Sequence, residues 1–167
     1  MGSSDNKVDI GNGIAGYFFA PEKKGECPAV LFIHGWGSNQ TKNIDRAKDL
    51  VALGYACLTI DLRGHGESEG NFKTLTGMDH LADVKAAYDF LAARDEVDSE
   101  QISVIGSSYG GFLATLLSAE REVQYLVLRV PASYKDEGFE LPTYEARKDH
   151  AIQDYRNAVM TPADSRL

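Results

Sequence analysis

The stretch that decides the fold is residues 102–118, which read ISVIGSSYGGFLATLLS. Its first four residues are a largely apolar run typical of a buried strand, and from Tyr109 onward apolar side chains recur at helical spacing. Between them lies Gly106-Ser107-Ser108-Tyr109-Gly110, which has the form GxSxG. The sequence therefore predicts a strand, a tight turn and a helix in direct succession, with Ser108 in the turn.

This turn has chemical consequences for Ser108. A strand–turn–helix corner of this kind holds its central residue in a strained backbone conformation and lifts the side chain clear of the sheet. Glycine at 106 and 110 removes side chains that would collide with the neighbouring helix and strand. The helix N-terminus favours a developing negative charge nearby. We therefore predict that Ser108 is a nucleophile; the alternative is a glycine–serine turn that merely starts a helix.

A second glycine-rich loop, His34-Gly35-Trp36-Gly37-Ser38, follows the apolar run 29–33. A serine that attacks a carbonyl needs two backbone N–H donors for the resulting oxyanion. We choose the amides of Trp36 and Tyr109. His34 is expected to hold its loop rather than carry a proton, and His34 and Gly35 are also candidates to line the cleft. The indole of Trp36 either lines an acyl pocket or packs as an ordinary aromatic side chain.

A third loop, residues 61–68 (DLRGHGES), follows the predicted strand 55–60 and forms a plausible cleft wall. We interpret Asp61, Arg63 and His65 as members of a hydrogen-bonded loop rather than as catalytic groups. His80, on the helix predicted for 76–93, is interpreted as a solvated or packed side chain rather than a ligand.

Strands and helices alternate along the chain, which predicts a mostly parallel sheet with helices on both faces. Thr76 and Asp79 form a capping box at the start of the clearest helix, which we expect to turn Met78, Leu81 and Val84 inward. The expected strands are 14–20, 29–33, 55–60, 102–105 and 125–130, and the expected helices are 41–53, 76–93 and 109–120.

Composition excludes several classes of protein. The 167 residues carry 17 Lys+Arg and 25 Asp+Glu, a net charge of −8, which argues against nucleic acid or an anionic membrane as a partner. No apolar run approaches the ~18 residues of a membrane span. Two cysteines without a CxxC motif favour a reducing cytoplasm. Gly11 to Gly16 matches GxGxxG but precedes a strand pattern, so we expect no dinucleotide; no metal or other cofactor is expected.

The three loops in this order resemble the α/β-hydrolase superfamily, particularly its single-domain esterases and its dienelactone-hydrolase-like or acyl-peptidase-like members. The resemblance implies an α/β fold that begins with an antiparallel hairpin at 7–20. It also implies that Ser108 is the nucleophile and that Trp36 and Tyr109 form the oxyanion hole. Residues 1–4, Met-Gly-Ser-Ser, are interpreted as a vector-derived or disordered start. The resemblance divides the rest into residues 5–134, the N-terminal portion of the hydrolase core, and residues 135–167, a polar, partly helical cap-like segment.

The triad acid and base are the missing parts, because in this superfamily they follow the nucleophile. Asp149 and His150 are weak candidates, since adjacent residues cannot easily fill both roles. We therefore expect a chain truncated before its acid and histidine, with little activity alone. An uncovered strand 125–130 would invite a second copy or a complementing chain. The side chain of Arg129 in that strand either points into the cleft or discourages another strand from pairing with this edge.

The leading functional interpretation is a serine hydrolase that acts on a carboxylic ester or related small-molecule acyl substrate. Two alternatives stay open: a non-catalytic binding module on the same scaffold, and a peptidase, thioesterase or lactone hydrolase. Fold alone does not choose among them.

Overall fold

The computed structural model describes residues 6–22, 25–132 and 139–143. Within them the chain forms one six-stranded sheet and three helices. The strands are β1 (Lys7–Gly11), β2 (Ile14–Phe19), β3 (Cys27–Ile33), β4 (Ala56–Ile60), β5 (Val97–Ser107) and β6 (Leu126–Arg129), and the helices are α1 (Thr41–Ala52), α2 (Gly77–Ala92) and α3 (Tyr109–Ser118).

The sheet order is β1-β2-β4-β3-β5-β6. β1 pairs with β2, and β2 with β4, in antiparallel fashion, whereas the pairs among β3, β4, β5 and β6 are parallel. The predicted fold class, with its N-terminal antiparallel hairpin, is therefore confirmed. Because parallel strands end at one edge of a sheet, the loops after β3, β4 and β5 meet there.

Helices cover both faces, as predicted. α1 packs Ala47, with Ile44 and Leu50 beside it, on Val30 and Phe32 of one face. α2 and α3 pack on the opposite face, where the larger core lies. That core includes the fully buried side chains Leu31, Ile33, Leu58, Ile60, Val84, Leu91, Val104, Leu113 and Leu117.

Two expectations need correction. β5 is longer at both ends than the predicted 102–105, since Cys27 pairs with Val97 and Arg129 with Ser107 outside the apolar run. Met78 does not face inward but is 52% exposed. The buried face of α2 includes His80 and Asp83, which turns it away from Met78. The predicted capping box of Thr76 and Asp79 is present.

Beyond β6 the structure describes only a short returning segment. Thr143 donates its N–H to the carbonyl of Leu75, and Pro142 forms a bridge with Thr76, so residues 139–143 lie against the N-terminus of α2. Residues 1–5, and residues 135–138 and 144–167 of the predicted cap-like segment, among them Asp149 and His150, lie outside the described residues. Among the residues described, no helix is long and apolar enough to cross a membrane.

Candidate active site

Ser108 occupies a strained corner between β5 and α3. Its φ is 52° and its ψ is −118°, in the region that non-glycine residues avoid, and its side chain is exposed at the N-terminus of α3. Strain of this kind persists only where the surrounding structure enforces it, and it is concentrated at functional sites. The corner therefore presents a serine hydroxyl at the edge of the sheet where the three loops meet.

Two glycines make this corner possible. A Cβ on Gly106 would lie 2.3 Å from the carbonyl oxygen of Gly110, and a Cβ on Gly110 would lie 2.4 Å from that of His34. Both distances are shorter than any real Cβ contact, so larger residues would push α3 away from β5 and β3. The GxSxG spacing thus has a steric reason in this fold.

The loop after β6 clamps the backbone of Ser108. The N–H of Ser108 donates to the carbonyl of Arg129 at 3.0 Å, and the N–H of Ala132 donates to the carbonyl of Ser108 at 3.1 Å. Between them Val130 has a φ of 45°, which is rare for a β-branched residue. The guanidinium of Arg129 lies 3.3 Å from the Ser107 hydroxyl, and Arg129 is exposed.

The loop after β3 passes directly beside Ser108. A Cβ on Gly35 would lie 3.4 Å from the Cβ of Ser108, so the loop backbone and the serine are in close contact. Gly37 donates its N–H to Nε2 of His65 at 3.0 Å, which fixes the turn on the far side of Trp36. Trp36, the residue predicted to donate to an oxyanion, therefore directly follows the glycine that contacts Ser108.

His34 and His65 are buried structural groups that hold the loops together. Nε2 of His34 accepts from the N–H of Leu62 at 3.0 Å, so its Nδ1 carries the proton and donates to the carbonyl of Gly35. His65 accepts from Gly37 and is 5% exposed. Burial lowers the pKa of His34, which keeps its imidazole neutral at pH 7. His34, a candidate cleft-lining residue, is 3% exposed, so its imidazole lies inside the loop.

Asp61 is the anchor of the neighbouring loops. Its carboxylate accepts from the backbone N–H of Gln40 and of Glu67 and from the side-chain amide of Gln40, at 2.8–2.9 Å. The residue is 1% exposed, and a Cβ on Gly66 would lie 2.1 Å from its Oδ2. The interpretation of residues 61–68 as a hydrogen-bonded loop agrees with this geometry.

A second buried network joins that loop to α2 and α3. The Arg63 guanidinium pairs with Asp83, whose other oxygen accepts the Arg63 N–H at 2.8 Å. Nε2 of His80 faces the carbonyl of Arg63 at 3.0 Å, and Nδ1 faces the Tyr109 hydroxyl at 3.0 Å. Burial lowers the pKa of His80 to about 4. Burial also raises the pKa of Asp83, against the opposing effect of Arg63.

Within the described ranges, no histidine is placed to act as a base for Ser108. The ring nitrogens of His34, His65 and His80 face the backbone or, for one nitrogen of His80, the Tyr109 hydroxyl. The same residues contain no group of three or more His, Cys, Asp or Glu side chains that could hold a metal ion.

Sequence reasoning missed the contributions of Gln40, Asp83 and His80. Gln40 gives no pattern signal, because its partners Asp61 and Thr59 are about twenty residues away. His80 and Asp83 carry a detectable signal: they lie three residues apart, on the side of α2 that also carries Val84. Polar residues at such spacing indicate buried hydrogen bonds where a loop packs on the helix.

Comparison with known proteins agrees with this geometry. Residues 13–141 match the Peptidase S15 family, described as X-Pro dipeptidyl-peptidase. The quorum-quenching protein AidA of Acinetobacter baumannii is 33% identical over 109 residues, which cover 63% of this chain and 36% of that protein. Protein Rv2307c of Mycobacterium tuberculosis is 32% identical over 118 residues, which cover 71% of this chain and 41% of that protein. The chain thus spans about two fifths of the length of these curated relatives.

A solved structure of Est1E from Butyrivibrio proteoclasticus, with ferulic acid bound, is also similar. Its TM-score is 0.60 with 28% sequence identity, over 68% of this chain and 47% of that one. The sheet order, the strained Ser108 corner and the family match over residues 13–141 lead to one assignment. The chain belongs to the Peptidase S15 family, and its fold is that of the α/β hydrolases.

Proposed function

We propose that this chain is a serine hydrolase that acts on a carboxylic ester or a related acyl substrate, with Ser108 as the nucleophile. The observation that carries the proposal is the exposed, strained Ser108 corner, with the Gly35 loop at van der Waals distance. A backbone conformation in this unfavourable region lowers the stability of the fold, and such strain is retained mainly where it serves a functional site.

The reaction follows from the arrangement of atoms. Oγ of Ser108 forms a bond to the carbonyl carbon of the substrate, and the π electrons of that carbonyl move onto its oxygen. The N–H groups of Trp36 and Tyr109 stabilise this oxyanion, aided by the N-terminus of α3. The C–O bond to the alcohol then breaks, and the alcohol leaves with the proton of the serine hydroxyl. Water hydrolyses the acyl-enzyme and releases the carboxylic acid.

The proton of Ser108 needs an acceptor that the described residues do not supply. We propose that the base comes from outside them, from a partner chain or from a part of the protein that the structure does not describe; Asp149 and His150 are weak candidates because they are adjacent. Removal of the nucleophile's base in a serine hydrolase costs about 10⁶ in turnover and leaves ~10³–10⁴ over water. A chain without an assembled base is therefore expected to form the acyl-enzyme only slowly.

Two substrate classes have specific support. Est1E holds ferulic acid, and a carboxylic acid is one product of ester hydrolysis, which favours an ester. The description of the matched family favours an aminoacyl amide as the second candidate. Turnover of short-chain p-nitrophenyl esters against X-Pro p-nitroanilides distinguishes them, and thioesters and lactones complete the panel.

The test is release of p-nitrophenol from p-nitrophenyl acetate by the wild-type chain and by Ser108→Ala. We expect slow but measurable serine-dependent release that Ser108→Ala lowers to the buffer rate. Ser118→Ala, at the other end of α3, is the matched control and should behave as wild type. Equal release by wild type and Ser108→Ala would contradict the proposal and favour a non-catalytic binding module.

We propose the cytoplasm as the compartment. Both cysteines are free thiols, and burial raises the pKa of Cys57 to about 12, which keeps it protonated and unreactive. A reducing environment suits two unpaired thiols.

A further inference from the structure

Tyr109 connects the Ser108 corner to the buried network on α2, through its backbone at one end and its ring hydroxyl at the other. Its backbone follows Ser108 directly, and its ring is buried at 3% exposure between α2 and α3. The ring hydroxyl lies 3.0 Å from Nδ1 of His80. Since the peptide N–H and the ring belong to one residue, a fixed ring limits rotation of the peptide that carries the N–H.

His80 is itself anchored firmly. Nε2 faces a carbonyl oxygen, that of Arg63, so Nε2 must carry the proton and Nδ1 must accept from the Tyr109 hydroxyl. Arg63 is held in turn by Asp83, through both its guanidinium and its N–H, and it donates to the carbonyl of Asp79. The path from Tyr109 therefore ends in the ion pair between Arg63 and the buried Asp83 of α2.

We propose that the hydrogen bond between His80 and the Tyr109 hydroxyl positions the Tyr109 amide as an oxyanion donor. His80 is a positioning residue that acts through Tyr109, while the Tyr109 N–H would touch the reacting oxygen. This inference rests on the proposed function of Ser108. It assigns a role to a buried histidine that the hydrolytic mechanism itself does not use.

Geometry gives the direction of the effect. Tyr109→Phe removes one hydroxyl, keeps the ring, and leaves Nδ1 of His80 without its donor. The Tyr109 peptide then gains rotational freedom, and misplacement of a catalytic group by about 1 Å can cost up to ~10² in rate. We expect about a tenfold loss in the rate at which Ser108 reacts.

The chain offers a matched control at Tyr88. This tyrosine is also buried on the same side of the sheet, and its hydroxyl donates to the carbonyl of Glu122, on the chain that leads into β6. Tyr88→Phe makes the same chemical change without touching the Ser108 corner. The experiment measures the rate of fluorophosphonate labelling of Ser108 by intact mass for wild type, Tyr109→Phe and Tyr88→Phe.

A second measurement does not depend on reactivity. The amides of Gly111 and Phe112 donate to the carbonyl of Ser108, so their hydrogen exchange reports opening of the corner. We expect faster exchange at these two amides in Tyr109→Phe and wild-type exchange in Tyr88→Phe.

The two measurements separate the possible failures. Slow labelling and fast exchange confined to Tyr109→Phe support the link. Labelling of Tyr109→Phe at the wild-type rate, or an equal loss in Tyr88→Phe, would overturn it while leaving Ser108 as the nucleophile. Absence of labelling in wild type would refute the proposed function of Ser108. Hydrogen exchange would then test the role of the His80–Tyr109 hydrogen bond by itself, and equal exchange in all three proteins would overturn that role.

Discussion

The two sides of Ser108 are built in opposite ways. On the side of the Gly35 loop, His34, Asp61 and His65 are each at most 5% exposed, and hydrogen bonds hold each of them in place. On the side of β6, Val127 is 44% exposed and Val130 is 88% exposed. Both regions contact Ser108: Gly35 lies against its Cβ, and the carbonyl of Arg129 accepts its backbone N–H.

This difference separates two requirements of catalysis. Stabilisation of an oxyanion needs donors that are fixed before the substrate arrives, and a closed network of buried hydrogen bonds provides that rigidity. Proton transfer and substrate binding need groups that approach Ser108 from the open side. Under the proposed function, the buried network beside Gly35 would serve the first requirement, and the second would need groups outside the described residues.

The side of Ser108 that carries the Gly35 loop and its buried partners His34, Asp61 and His65 is called the closed side, and the β6 side is called the open side. The largest expected effect comes from a substitution on the closed side, at Asp61. Asp61→Ala leaves the N–H groups of Gln40 and Glu67 and the Gln40 amide without their buried acceptor. Each unsatisfied donor costs about 1–3 kcal/mol, so for three donors we expect a loss of roughly 3–9 kcal/mol in the free energy of unfolding. Urea denaturation measures it, with the exposed Asp95→Ala as the control at about zero. A loss below about 1 kcal/mol would show that the carboxylate is not the anchor.

The next effect is a dependence on pH that originates in His80. Its pKa is about 4 in the folded chain and 6.5 in the unfolded chain, so the unfolded state takes up the proton first as the pH falls. The contribution of His80 to the free energy of unfolding is therefore fully present above pH 6.5 and is lost between pH 6.5 and 4. The change amounts to at most about 3 kcal/mol at 1.36 kcal/mol per pKa unit.

His80→Gln isolates this contribution. The groups that affect His80 are His34 and His65, which oppose its charge, and Asp79, which favours it. Urea denaturation at pH 7.5, 6, 5 and 4 should give a steeper decline for wild type than for His80→Gln, although the variant is less stable at pH 7.5. Parallel declines in the two proteins would show that His80 is not protonated on unfolding.

The smallest expected effect concerns the open side. We predict that β6 pairs with another chain, either a second copy or a complementing partner, because it lies at the edge of the described sheet with an apolar face exposed. Val127→Lys should weaken self-association about tenfold, which is ~1.4 kcal/mol. Leu53→Lys, at the end of α1 and 73% exposed, is the control. Light scattering measures the mass at several concentrations; a monomer throughout would contradict self-association.

The sequence predicts the closed side in outline and not in detail. Apolar runs identify β3, β4 and β5, and the GxSxG pattern identifies the corner, because both follow from local sterics and burial. Periodicity fails at Met78, since α2 buries His80 and Asp83, which count as polar in the pattern. The partners that stabilise them, Arg63 and Tyr109, are 17–29 residues away, so no local rule connects them.

The most direct test of the central claim is to map a fluorophosphonate adduct on the 167-residue chain. At pH 7.5 a folded chain should carry the adduct on Ser108, while Ser107, its sequence neighbour, and Ser38, in the Gly35 loop, stay unmodified. Tandem mass spectrometry of the labelled peptide assigns the position, and a urea-unfolded sample should carry no adduct. An adduct spread over the three serines, or equal labelling of folded and unfolded chains, would show that Ser108 is not the reactive serine of the fold.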